Sequence, residues 1–237
     1  MKDHPIPFSG EMVRVILAWR KTQTRLIIKE IAKDNTITLM SDPFGWLSAS
    51  TDRADRRKIG KYCAFFKRSE SHLYLNTHET IPFPYGEVGD RLWVREKWEF
   101  VPWDQDKDFK NRTVLVVYAA DGGQSRPISV PDDWNPMLYN DQRWRPSIHM
   151  PRWASRITLE ITGVRVERVQ DISEEDAIAE GVPGIATNQP YPKKFRDSFE
   201  VLWNLIYAKR GFGWDVNPWV WIIDFKPISL PSEPHTP

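Results

Sequence analysis

Apolar residues recur along this chain with two periods. Met12, Val13, Ile16 and Leu17 follow Ser9 at helical spacing. A serine there can accept from the freed N–H groups of a first turn, so the pattern predicts a helix over about 10–20. Phe195, Phe199, Leu202, Trp203 and Ile206 form a second stripe and predict a helix over 194–209, stopped near Gly211. A third helix is announced by polar residues. Ser173 stands before Glu174, Glu175 and Asp176, acids suited to a first turn, and Gly181 offers a stop after Glu180. Elsewhere the apolar residues alternate or run on. Segments 36–40, 61–67, 73–75, 91–96, 113–119 and 219–225 predict strands, and 156–169 predicts a strand pair or one long bent strand. Ile27 and Ile28 predict one more short strand.

Between these segments the pattern lapses. Residues 101–112 and 183–192 read as loops, and 229–237 as a loose tail. Residues 121–154 have no period and are rich in proline, tryptophan and arginine. So long a loop in a compact chain is functional or disordered, and its aromatic content argues against disorder. The strands are short and interrupted. The helices are few and do not alternate regularly with strands, which argues against a doubly wound sheet. The expected class is α+β: a small mixed or antiparallel barrel with helices packed outside it.

Composition narrows the functional classes. At 237 residues and 41% hydrophobic content, the chain can bury a real core. Its net charge is +1, so no global field draws it to nucleic acid or membrane, and any such attraction must be local. The single cysteine, Cys63, excludes an intrachain disulfide and reads as a small apolar strand residue. No apolar signal segment or membrane-length run is present, so the expected location is cytoplasmic, with no membrane partner. Twelve tryptophans exceed what a core of this size needs, and some are candidates for stacking surfaces.

Charge is segregated. Residues 10–30 hold Arg14, Arg20, Lys21, Arg25 and Lys29 against Glu11 and Glu30, for +3. Residues 143–168 hold Arg143, Arg145, Arg152, Arg156, Arg165 and Arg168 against Glu160 and Glu167, for +4. Trp144 and Trp153 are interleaved with the second set. Arginine mixed with aromatics suits phosphates and stacked bases; a solvated face with indoles packed under arginine stems is the alternative. The segment Arg20-Lys21-Thr22-Gln23-Thr24-Arg25 places three cations and two threonines at the predicted end of the first helix. A lysine near a threonine can lower the cost of an oxyanion or alkoxide, while a basic helix end favoured by the helix dipole is the plain reading. Glu180 sits at the far end of an acid-rich helix, where the dipole disfavours an acid. His149 lies inside the arginine–tryptophan loop, where it could bind a ligand or hold a structural hydrogen bond. His4, His72, His78, His149 and His235 show no metal-ligand spacing, and no metal or other cofactor is expected.

Taken in order, these pieces resemble ASCH domains of the PUA-like group. The resemblance lies in Trp19-Arg20-Lys21-Thr22-Gln23-Thr24-Arg25 (the family often has glycine at the first position), in Gly89-Asp90-Arg91-Leu92-Trp93-Val94, in the helix from Ile172 to Gly181, and in Trp221-Ile222-Ile223-Asp224-Phe225. The stretch 144–151 resembles phage and prophage proteins of this type. The similarity covers about half of the chain in pieces. It implies a PUA-like barrel forming a single domain over 1–228, with large insertions at about 31–84 and 100–154. One branch, the N4-acetylcytidine amidohydrolases, implies Thr24 as nucleophile, Lys21 as base or charge stabiliser and Glu180 as proton shuttle or orienter. The candidate binding residues are Arg20, Thr22, Arg25, Arg143, Trp144, Arg145, His149, Arg152, Trp153 and Arg156, and the implied partners are RNA, single-stranded nucleic acid or a modified nucleoside. Three functions follow: hydrolysis of an N4-acylated cytidine amide, non-catalytic nucleic-acid binding, or the ribonuclease activity of some ASCH relatives.

Overall fold

A computed structural model describes residues 1–34, 37–46, 62–68, 78–101, 113–134, 143–183 and 195–229. In chain order the main elements are β1 (Asp3–Pro7), α1 (Gly10–Leu17), β2 (Gln23–Ile27), β3 (Ile37–Trp46), β4 (Tyr62–Arg68), β5 (His78–Pro82), β6 (Arg91–Arg95), β7 (Trp98–Val101), β8 (Thr113–Tyr118), β9 (Ser125–Ser129), β10 (Thr158–Arg168), α2 (Glu174–Ala179), α3 (Phe195–Tyr207) and β11 (Trp219–Ser229). The class is mixed α+β with more sheet than helix. Among the described residues no helix is long and apolar enough to cross a membrane. The elements gather into two compact units. One contains described residues of 1–2, 20–90 and 160–226; the other contains those of 3–19, 91–159 and from 227 on.

In the first unit β2 pairs antiparallel with β11, with Gln23 opposite Asp224, Arg25 opposite Ile222 and Ile27 opposite Val220. The other edge of β11 is taken by β10. β10 is continuous from Thr158 to Arg168, the long single strand of the two readings the sequence allowed. Gly163 on β10 has a packing reason: a Cβ there would lie 2.8 Å from Asp224 Oδ2. Helices α2 and α3 cover this sheet. Their apolar faces meet in a core of Val169, Ile172, Ala177, Val182, Phe199, Trp203, Trp214, Val220 and Ile222. Strands β3, β4 and β5 form an antiparallel meander, with Cys63 on β4 buried as a small strand residue. The predicted strand at 73–75 lies outside the described residues.

In the second unit β1 runs parallel to β6, with Ile6 opposite Val94. β7, β8 and β9 form an antiparallel meander. Its core is Trp98, Phe100, Val114, Val116, Tyr118, Met150 and Ala154. β1 and β9 carry Pro5, Pro7 and Pro127, residues that remove ladder donors and hide a strand from sequence inspection, although such residues are tolerated at sheet edges. α1 begins as expected, with the Ser9 hydroxyl accepting from the Met12 N–H at 3.3 Å. It ends at Leu17, short of the predicted residue 20. The physical reason is Trp19, which takes a left-handed conformation at φ 56° and turns the chain out of the helix.

Candidate functional site

This early helix end changes the setting of the segment 20–25. Its residues do not crown a helix. They lead into and form β2, so side chains alternate between the two faces of a strand. Gln23 and Arg25 point to one face and reach toward α2. The Gln23 amide donates to Asp176 Oδ1 at 2.9 Å and to Asp224 Oδ1 at 2.7 Å. Arg25 donates to Asp176 Oδ2 at 2.9 Å, to Glu180 Oε1 at 3.3 Å and to Gln23 Oε1 at 2.5 Å.

Lys21 joins the same group. Its ammonium donates to Glu180 Oε2 at 2.6 Å and to the Glu180 carbonyl at 3.0 Å. The two residues are 1% and 7% exposed, so the contact is made out of water. The local cause is the C-terminal end of α2, which leaves carbonyls without intrahelical partners and carries the negative end of the helix dipole. The Thr22 N–H donates to the Ala179 carbonyl at 2.8 Å, and Lys21 supplies the cation. Glu180, placed where the dipole disfavours an acid, is thereby held between Lys21 and Arg25. Gly181, at φ 79°, makes the turn that ends the helix.

The group extends to a more open rim. Arg165 on β10 donates to Glu167 Oε1 at 2.7 Å, to Asp224 Oδ2 at 2.8 Å and to Asp176 Oδ2 at 2.8 Å. Burial alone would lower the Arg165 guanidinium pKa; the hydrogen bonds to Glu167 and Asp176 and the charge of Asp224 outweigh it and raise it. Burial pushes the Asp176 carboxyl upward, but hydrogen bonds from Gln23 and Arg165 and the charges of Arg25 and Arg165 hold it below its ordinary value. Tyr207 on α3 is raised by burial and further by the negative charge of Glu180. Three cations (Lys21, Arg25, Arg165) thus face four carboxylates (Glu167, Asp176, Glu180, Asp224), a net charge of −1. Of the cations of 10–30, Lys21 and Arg25 are thus paired with carboxylates, while Arg14, Arg20 and Lys29 stay exposed. One buried donor, Nε of Arg25, has no acceptor among the described residues.

Among the three residues named as catalytic, Lys21 and Glu180 are brought into direct contact. Thr24 is buried, at 2% exposure, and strand alternation turns it to the face of β2 opposite Gln23 and Arg25. Arg20 and Thr22 are exposed. Gln23, Asp176, Arg165, Glu167 and Asp224 were not named as site residues from sequence, although Asp176 stood among the first-turn acids and Arg165 in the basic set of 143–168. The available signal was the alternation Lys21, Gln23, Arg25, which is legible only once that segment is read as a strand.

The arginine–tryptophan segment belongs to the second unit, and its residues divide into two groups. Arg156 is clamped by Glu96 at 2.8 and 2.9 Å and by Asp121, with its guanidinium 4.0 Å from the Tyr118 ring centre. Burial pushes the Glu96 carboxyl up, only partly opposed by Arg156. Arg145 is also buried, bridged to β7 through its backbone, with its guanidinium 5.7 Å from the Trp98 ring. Trp153 packs edge-on against Trp98 and Trp134, with ring centres 6.1 and 5.0 Å away, so it is core packing rather than a stacking platform. All three side chains are engaged by contacts within the second unit. Trp153 itself sits in a short 3-10 turn at Arg152–Ala154. Arg143, His149 and Arg152 stay exposed, and Trp144 is 40% exposed with the Lys97 ammonium 5.5 Å from its ring centre.

No family model, curated protein or solved structure matches this chain. Among the described residues no group of His, Cys, Asp and Glu could hold a metal ion.

Proposed function

We propose that the Lys21–Glu180 centre binds a modified nucleobase or nucleoside and hydrolyses an N4-acylated cytidine amide, on a scaffold of the PUA-like barrel type. The observation that carries this reading is the 2.6 Å contact between Lys21 Nζ and Glu180 Oε2, made inside the protein by residues from β2's approach and the end of α2. The net negative charge of the surrounding group favours a neutral heterocycle over a phosphate. The buried Arg25 Nε supplies a spare donor for a carbonyl oxygen.

In this reading Glu180 takes a proton from water as the water oxygen forms a bond to the acyl carbon. Lys21 stabilises the oxyanion. The C–N bond then breaks, and Glu180 returns the proton to the leaving exocyclic amine, releasing cytidine and a carboxylic acid. The alternation along β2 favours water, rather than the Thr24 hydroxyl, as the attacking group. Incubation with N4-acetylcytidine, followed chromatographically, tests this. Wild type should deacetylate it, Lys21→Met and Glu180→Gln should lose roughly 100-fold or more, and Thr24→Val should retain turnover. Loss in Thr24→Val alone would restore Thr24 as nucleophile. Absence of wild-type turnover ends the enzyme reading.

A second reading, binding of single-stranded nucleic acid without catalysis, is favoured by Trp144 with Lys97 over its ring and Arg143 exposed nearby in sequence. Affinity for RNA should then fall steeply with salt and weaken on Trp144→Ala. Among the described residues the ribonuclease reading has no supporting arrangement of its own.

A further inference from the structure

Trp19 stands in a conformation that its residue type does not favour. Among the described residues, two that are not glycine have positive φ: Asn217, a residue that tolerates the left-handed region, and Trp19 at 56°. Six glycines fill other positive-φ turns. For a bulky side chain the left-handed region brings Cβ against the following carbonyl, and glycine would make the same exit from α1 without strain. Burial does not compensate for this. Trp19 is 65% exposed, and among the described large hydrophobic residues only Met1 and Leu205 are more so. Stability alone gives no reason for tryptophan here, and strain held at an exposed aromatic is a signature of contact with a ligand.

The flanking sequence identifies the ligand's chemistry. Ala18, Arg20 and Thr22 are exposed, and Lys21 is the one side chain of this run that turns inward. An exposed indole followed directly by a cation and then a hydroxyl suits a planar base carried on a phosphate chain, whereas an apolar peptide would leave the guanidinium unanswered.

We propose that Trp19 is a stacking residue for a base of single-stranded nucleic acid. This rests on the nucleic-acid reading above and adds a residue to it. The test compares the full-length wild type with Trp19→Gly and Trp19→Phe, using a short fluorescein-labelled single-stranded RNA in anisotropy titrations and thermal unfolding alongside. Trp19→Gly should raise Tm by about 2–4 °C, as relief of a local strain does in a chain of this size, and weaken RNA binding roughly 5- to 150-fold, the range expected for loss of one stacked base. Trp19→Phe should keep most of the binding and leave Tm near wild type. Unchanged binding in Trp19→Gly, with the wild type binding well, overturns the inference and leaves the nucleic-acid reading standing. A fall in Tm, or loss of a wild-type oligomer in sedimentation, assigns Trp19 to packing or self-association and overturns it as well. If the wild type binds no RNA, both readings fall together.

Discussion

Each of the two units buries a guanidinium among carboxylates, and the two centres differ in how they are closed. In the second unit Arg156 is held by Glu96 and Asp121, with side chains 5%, 1% and 13% exposed, and the Tyr118 ring lies against the guanidinium. Every direction is occupied. In the first unit the centre is graded: Lys21, Arg25 and Glu180 form an enclosed end at 5% exposure or less, while Asp176, Arg165, Glu167 and Asp224 open progressively from 21% to 35%. The same residue types therefore act as a closed staple in one unit and as a wall that ends in solvent in the other. Solvent reaches the rim of the second kind, and the proposed site lies where that rim adjoins the enclosed Lys21 and Glu180.

The largest expected effects come from opening either centre by removing one charge. A buried carboxylate left without its cation costs about 3–5 kcal/mol. Arg156→Met should reach the upper part of that range, since it strands both Glu96 and Asp121. Lys21→Met should fall at about 3 kcal/mol, because Arg25 still lies 3.3 Å from Glu180. Urea unfolding of the two variants measures the difference. If Lys21→Met costs as much as Arg156→Met, the graded centre is as closed as the other. The double variant Lys21→Met, Glu180→Met should recover part of the loss, with a coupling of roughly 0.5–3 kcal/mol.

Next in size is Gly163→Ala. The new methyl would meet Asp224 Oδ2 at 2.8 Å and push β10 from the carboxylate that Gln23 and Arg165 share. The expected cost is about 1–3 kcal/mol, the usual range for overpacking. Deacetylation should fall with it if the rim shapes the substrate site. Full activity at reduced stability would separate the rim from the chemistry.

The two centres should also answer pH with opposite signs. Asp176 has a folded pKa below its ordinary 3.8, so its contribution is complete above that value and is lost as pH falls through the folded pKa. Glu96 has a folded pKa above its ordinary 4.5, so its buried charge costs stability above the folded pKa, and that cost is relieved as pH falls from there. Unfolding free energies followed from neutral to acid pH should show Asp176→Asn losing less stability than wild type at the acid end. Glu96→Gln should lack the gain on entering the carboxylate range. Parallel curves for the two variants would break the contrast.

Much of this was legible in the residues, and the misses have physical reasons. The helices expected over about 10–20 and 194–209 became α1 at Gly10–Leu17 and α3 at Phe195–Tyr207, and Ser173 with its three acids marked α2 in register. Val114 and Val116 gave β8. β1 and β9 were missed because proline breaks their alternation at sheet edges. For the candidate site, Glu180 was identifiable as an out-of-place charge and Lys21 as one of a cluster of cations beside threonines, but their 159-residue separation hides the contact from any local pattern. The position of Thr24 was lost for another reason. A helix would have put residues three apart on one face, and Trp19 ends the helix early, so the strand period puts Gln23 and Arg25 on one face and Thr24 on the other. Tryptophan-rich sequence proved ambiguous by nature, since an indole packs and stacks with the same face; Trp153 packs, while Trp144 is left exposed.

The smallest expected effect tests the exposed end of the comparison. Arg152 and Asp3 pair at 3.2 Å in the second unit with side chains 45% and 42% exposed. Water screens such a pair, and its loss should change stability by less than about 0.5 kcal/mol. Arg152→Ala should therefore unfold at nearly the wild-type urea concentration, unlike Arg156→Met four positions on in the chain. Its effect belongs to binding. If single-stranded RNA crosses this surface, Asp3 competes with phosphate for the guanidinium. The slope of log affinity against log salt should then fall by roughly 0.7 on removing Arg152, one single-strand phosphate contact, and steepen on Asp3→Asn. A salt slope that ignores both substitutions would place the nucleic-acid path elsewhere, on residues such as Trp144 and Arg143, while leaving the division between closed staple and open wall intact.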